Sequence, residues 1–167
     1  SAAACVAVSA AAGIWIAASD SAGGEYTAVH LYGQGGHDFW AGPVANDYTT
    51  DAHLDRYNQV WVCDKPTVEA HKINFETDGY IVPDAIANWP GNGNVANGES
   101  NLLAPFFDYN NNLIYDPVNG DYPLIRGDEA AFFIFNDDAK PHTQSFGEKL
   151  KVEIHAMAYA FDAPEDS

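Results

Sequence analysis

Asp108, Asn110 and Asn112 put an oxygen-bearing side chain at every second position of the segment DYNNNLIYDPVNGDYP, residues 108–123, and Asp116, Asn119 and Asp121 follow. Hard oxygen donors at alternate positions of a turning backbone are what a calcium ion takes, with one main-chain carbonyl commonly completing the set. With Asp108 counted as first, Asn110 is third, Asn112 fifth, the Ile114 carbonyl seventh, Asp116 ninth and Asp121 fourteenth; these six are the candidate metal ligands. Leu113 takes the sixth place, where the sharp turn favours glycine, and Asn119 takes the twelfth in place of a bidentate glutamate. With one carboxylate among the first three donors, calcium binding is expected in the range of roughly 10⁻⁴ to 10⁻³ M. The same side chains also suit Asx-turns, which need no metal, and spacing alone leaves both readings open.

The other reactive residues form weaker patterns. The six histidines include no HExxH pair, and neither a GxSxG elbow nor a Cys/His pair at zinc spacing occurs. His37 beside Asp38, and Glu153 two residues before His155, are the best remaining pairs. On a strand Glu153 and His155 share a face, as a general acid/base pair would, although such a pair is more often a hydrogen-bonded surface feature. The glycine clusters GQGG and GNGNVANG lack a following amphipathic helix and read as loops, not phosphate cradles. Trp40, Trp61 and Trp89 suit stacking on sugar rings, but in a β-rich domain of this size the usual role is a core or loop anchor.

Composition narrows the class of partner. Seven Lys plus Arg against 24 Asp plus Glu give a formal charge of -17, which repels phosphate backbones and anionic lipid headgroups. Nucleic acid and direct membrane insertion are therefore excluded from the expected partners, and no run reaches the roughly 18 apolar residues of a membrane helix. The alanine-rich start lacks the basic region of a signal peptide, so a secretion signal is expected outside these 167 residues. Cys5 and Cys63 are too few for a disulfide scaffold, and pairing or two free thiols are equally consistent with them.

The elements that must carry these residues are mainly strands. Residues 12–16 and TAVHLY flank a Gly-containing turn and read as a hairpin, whereas SAAACVAVSAAA before them has few side chains able to specify packing. Helices are expected over 51–59, capped by Thr50 or Asp51, and over 65–72, capped by Asp64 with Pro66 in its first turn. DAIANW between two prolines allows barely one more turn. EAAFFIFND and LKVEIHAMAYAF read as two strands, the second alternating Val152, Ile154, Ala156 and Ala158 against Glu153, His155, Met157 and Tyr159. Between them and the helices, residues 88–121 hold nine Asn and no sustained period, an excursion that needs something to tie it down, for which a bound cation is one candidate. The expected fold is a single mainly β domain over 1–167, β-sandwich-like, with antiparallel sheets, long loops and two or three short helices.

Several segments together resemble one family: GIWIAASDSAGG, QGGHDFWAGP, DGYIVPDAIANWPGNG, LAPFFDYNNNLIYDPVNGDYPLIRGDEAAFFIFND and EIHAMAYAFDAP. They are similar to the N-terminal region of large secreted Bacteroidetes surface proteins that bear a type IX secretion C-terminal sorting domain. In that family the loop follows a DxNxDGxYxPxxGDYP pattern, matched here at Asp108, Asn110, Tyr115, Pro117, Gly120, Asp121, Tyr122 and Pro123, with Asn112 and Leu113 in place of the usual Asp and Gly. The resemblance implies an extracellular or cell-surface location and a chain belonging to a longer polypeptide, and it brings no activity with it. The expected function is a non-enzymatic structural or adhesive module with a calcium-stabilised loop, self-assembling or binding other surface proteins or glycans. The alternative is a secreted carbohydrate-active enzyme or glycan-binding domain, motivated by the aromatic content and abundant carboxylates.

Overall fold

The computed structural model describes residues 13–31, 33 and 35–162, so the alanine-rich opening and Cys5, with any pairing to Cys63, lie outside the described residues. The chain is mainly β, as the two long strand patterns predict, and its described residues form antiparallel sheets, long loops and three short helices. Strands β1 (Trp15–Ser19) and β2 (Glu25–Val29) form the expected hairpin. Asp20 closes its turn by accepting the amides of Ala22 and Gly24 at 2.9 and 2.8 Å.

The principal sheet is built on β7 (Glu129–Asn136). β7 pairs along its whole length with β8 (Glu153–Ala160), and on its other side with β3 (Trp40–Ala41) and β4 (Trp61–Asp64). Alternation decides its faces: Ala130, Phe132, Ile134 and Asn136 are buried, while Ala131, Phe133 and Phe135 are half-buried. Phe132 and Ile134 meet Tyr57, Trp61, Cys63, Val68, Ile86, Trp89 and Leu103 in one hydrophobic core. Trp61 and Trp89 are therefore core anchors, each contributing the ~1.5–3 kcal/mol of a buried large side chain or more. Burial also pushes the Cys63 thiol up to about 11.

The helices follow their caps. α1 (Asp51–Tyr57) starts where the Thr50 side chain accepts the His53 amide at 3.2 Å, and ends two residues before the expected Gln59. α2 (Lys65–Asn74) starts where Asp64 accepts the Thr67 amide at 2.7 Å, with Pro66 in the first turn, and buries Val68 and His71. α3 (Asp84–Ala87) is the single turn expected between two prolines. β4 was not expected: WVCD is too short to show a period, and it becomes a strand because Trp61 and Cys63 face the core opposite Phe132 and Ala130.

Residues 88–121 are irregular apart from two 3-10 turns, Val95–Asn97 and Pro117–Asn119, and the short pairing of β5 (Phe106–Phe107) with β6 (Tyr122–Pro123). Side chains hold this excursion to the core. The Trp89 indole donates to the Pro105 carbonyl at 3.1 Å, the Tyr115 hydroxyl donates to the Ile86 carbonyl at 2.7 Å, and the Arg56 guanidinium donates to the Asn92 carbonyl at 2.7 Å.

Candidate functional site

Residues 108–116 curl around their own side chains. Asp108 accepts the amides of Asn112 and Leu113 at 3.1 and 2.7 Å, Asn110 accepts the Asn112 amide at 3.1 Å, and Asn112 accepts the Ile114 amide at 2.7 Å. These contacts turn the backbone so sharply that Asn111 and Leu113 sit at φ of 59° and 62°, in the left-handed region. Leu113 thus adopts the conformation for which a calcium loop ordinarily uses glycine at its sixth position, at a cost of roughly 1–2 kcal/mol.

The remaining donors gather on Asp116. The side-chain amides of Asn110 and Asn112 reach its carboxylate at 3.3 Å, and that of Asn119 reaches it at 2.9 Å. Burial pushes the Asp116 carboxyl up, but hydrogen bonds from Asn119, Asn112, the Asp121 side chain and Asn110 outweigh it and hold the group below the ordinary aspartate range. Asp121 plays another part. It is fully buried beneath the loop, and its two oxygens accept the amides of Tyr109 and Asp116 at 2.8 and 2.9 Å. Burial, reinforced by the neighbouring Asp116 charge, raises its carboxyl above the ordinary range. Gly120 beside it has φ 104°, and a Cβ there would meet the Phe75 ring at 2.9 Å, so the turn under the loop admits no side chain.

The sequence-derived ligand set is therefore divided. Asp108, Asn110, Asn112 and Asp116 converge, joined by Asn119, while Asp121 supports the loop from below. Among the described residues no three His, Cys, Asp or Glu side chains gather as a metal-holding group. The donors here are two carboxylates, asparagine amides and the backbone near Ile114, an all-oxygen set that suits calcium and not a transition metal. The Asn110 and Asn112 oxygens each keep a second lone pair after accepting one amide, so curling the loop does not exhaust them.

A second polar cluster was not legible in the sequence. Glu99 is buried between α1 and the excursion, where His53 Nδ1 lies 3.1 Å from one of its oxygens and the Tyr57 hydroxyl donates to the other at 2.5 Å. The Asn94 amide and the Asn97 side chain donate to it as well, at 2.7 and 3.3 Å. Burial pushes the Glu99 carboxyl up, yet these donors together hold it below the ordinary range, and burial leads the causes that keep the Tyr57 hydroxyl protonated far above its own. A cavity of about 430 Å³ lined by Asp47, Thr50, His53, Arg56, Asn94 and Glu99 lies alongside. Both Glu99 oxygens are engaged, and among the described residues His53 Nε2 is buried without a partner, against Gly42, where an added Cβ would stand 2.8 Å away. A general base needs an accessible lone pair, so the cluster is a clamp for the excursion.

The two pairs singled out in the sequence are structural too. Asp38 is buried and accepts the amides of Val29, Gln144 and Ser145, so it does not serve His37. Glu153 is hydrogen-bonded to His155 through one oxygen and accepts the Val44 amide at 2.8 Å through the other, tying β8 to the loop after β3. Trp40 lines an apolar groove of about 610 Å³ with Phe39, Val60, Phe133 and Phe135, and one face of its ring is stacked on His142. Comparison of the chain with protein-family models, with curated proteins and with solved structures finds no match.

Proposed function

We propose that this chain is a non-enzymatic structural or adhesive module of an extracellular or cell-surface protein, with the loop at residues 108–119 stabilised by calcium. The observation that carries the reading is Leu113 at φ 62°: a bulky residue is held in the glycine conformation of a calcium loop while Asp108, Asn110, Asn112, Asp116 and Asn119 draw together around it. Strain of that kind persists only where surrounding contacts over-determine it. The net charge of -17 favours cations in general, and local repulsion between Asp116 and Asp121 favours one here. Leu113, Ile114 and Val118 lie exposed on the crest beside these donors and supply apolar contact surface for an adhesive partner.

A ligand that binds only the native state stabilises it by mass action, about 1.4 kcal/mol at ten times the dissociation constant. The melting temperature should therefore fall in EDTA and recover on titration with calcium into the millimolar range, and Asp108→Ala should lose that response. A variant that keeps the parent's calcium response overturns the assignment.

A further inference from the structure

Among the described residues β8 is paired on one side only. Its register with β7 runs without interruption from Glu129 opposite Ala160 to Asn136 opposite Glu153, so it carries no bulge. Among the described residues no strand pairs its other edge. The Asp137 amide donates to the Val152 carbonyl at 3.3 Å, which sets the phase of the ladder. Even-numbered residues of β8 direct their backbone groups at β7, and Glu153, His155, Met157 and Tyr159 direct theirs outward. An open edge of this length is ordinarily blunted by lysine, proline, a bulge or an inward charge. Here, in a chain with 24 acidic residues, residues 154–161 (IHAMAYAF) contain no Asp, Glu, Lys, Arg or Pro. Between Glu153 and Asp162 no charged side chain repels a second strand, and the outward backbone groups of His155, Met157 and Tyr159 can pair with one.

We propose that the β8 edge is a self-association surface, on which two copies of this chain pair β8 to β8 antiparallel about a two-fold axis at Met157. This rests on the reading of the chain as an assembling module and names the surface that does it. A two-fold contact must be complementary to itself, and the run 154–161, without Asp, Glu, Lys or Arg, is so even in a chain of charge -17. Centred on Met157, the pairing sets His155 opposite Tyr159 of the second copy, so outward-facing backbone groups meet outward-facing ones and both sheets become one. The two Glu153 carboxylates then stand eight residues apart along the strands, roughly 27 Å, well beyond the ~8 Å screening length of physiological salt.

The test is light-scattering mass across a dilution series for the full chain and for His155→Pro and Tyr159→Pro. Each substitution removes an outward amide and leaves the bonds to β7 in place. The parent should reach twice the monomer mass at high concentration, and both variants should remain at the monomer mass with the parent's circular dichroism. A parent that stays monomeric, or folded variants that still double in mass, overturns the proposal. If neither variant folds, hydrogen exchange on the parent decides. Amides of His155, Met157 and Tyr159 should gain protection as concentration rises, and protection that is absent or independent of concentration overturns pairing between copies. The calcium response of the melting temperature is read on the same samples, so loss of the β8 contact with that response intact sinks this inference alone.

Discussion

Two carboxylate centres fasten the same long excursion, and they do it in opposite ways. Glu99 is buried and takes its donors from far along the chain, from His53 and Tyr57 on α1, as well as from Asn94 and Asn97 nearby. Asp116 is half-buried and takes its side-chain donors from its own turn, from Asn110, Asn112 and Asn119, with Asp121 beneath it. The first centre engages both oxygens with protein partners in a buried site. The second leaves lone pairs beside solvent and crowds two carboxylates together. Around Glu99 the protein's own groups hold the irregular backbone, whereas at residues 108–121 the proposed calcium ion would add to what the side chains achieve.

The largest effect that separates the two centres is expected at the first. Glu99→Ala leaves the Tyr57 hydroxyl, the Asn94 amide and His53 without their acceptor in a buried site, and should cost about 3–5 kcal/mol in chemical denaturation. A cost within a few tenths of Asp108→Ala would erase the distinction between a buried clamp and a surface turn.

The pH dependence of the two centres should differ in sign. Glu99 has its folded pKa depressed, so its contribution is present above the ordinary glutamate range and is lost as pH falls through the folded value. Asp121 has its folded pKa raised, so its contribution is present below the ordinary aspartate range and is lost as pH rises through the folded value. Side-chain carboxyl titration by NMR should place Glu99 below and Asp121 above their usual ranges, and calcium should move Asp121 downward while leaving Glu99 unchanged. Equal calcium shifts at both residues would place the ion elsewhere.

The smallest effect is the most specific. Leu113→Gly relieves the left-handed strain but gives the unfolded chain more freedom, for a net stabilisation of about 0.5–1 kcal/mol, and it should tighten calcium binding. Loss of stability in calcium titration and denaturation alike would show that the Leu113 side chain, and not its backbone, shapes the turn.

What was legible in advance was whatever depends on near neighbours. Asp64 followed by Lys65 and Pro66 announces α2, Thr50 announces α1, and the runs EAAFFIFND and LKVEIHAMAYAF announce β7 and β8, although which β7 side chains face the core is not legible in its continuous apolar run. β4 was hidden because four residues carry no period. The buried carboxylates were hidden for a stronger reason: Asp38 bonds Gln144 and Ser145, and Glu99 bonds His53, across separations over which no spacing rule operates.

By itself the sequence determined the mainly β class, the helix starts, the two long strands and the cluster of oxygen donors at residues 108–121, because capping, alternation and Asx-turns act over a few residues. Only the tertiary structure decided that Asp121 supports the loop from below, that Glu99 ties the first half of the excursion to α1, and that among the described residues no strand pairs the outer edge of β8. Each of those depends on which distant groups share the space left after the core has packed, and burial there changes both the partner of a carboxylate and the direction in which it titrates.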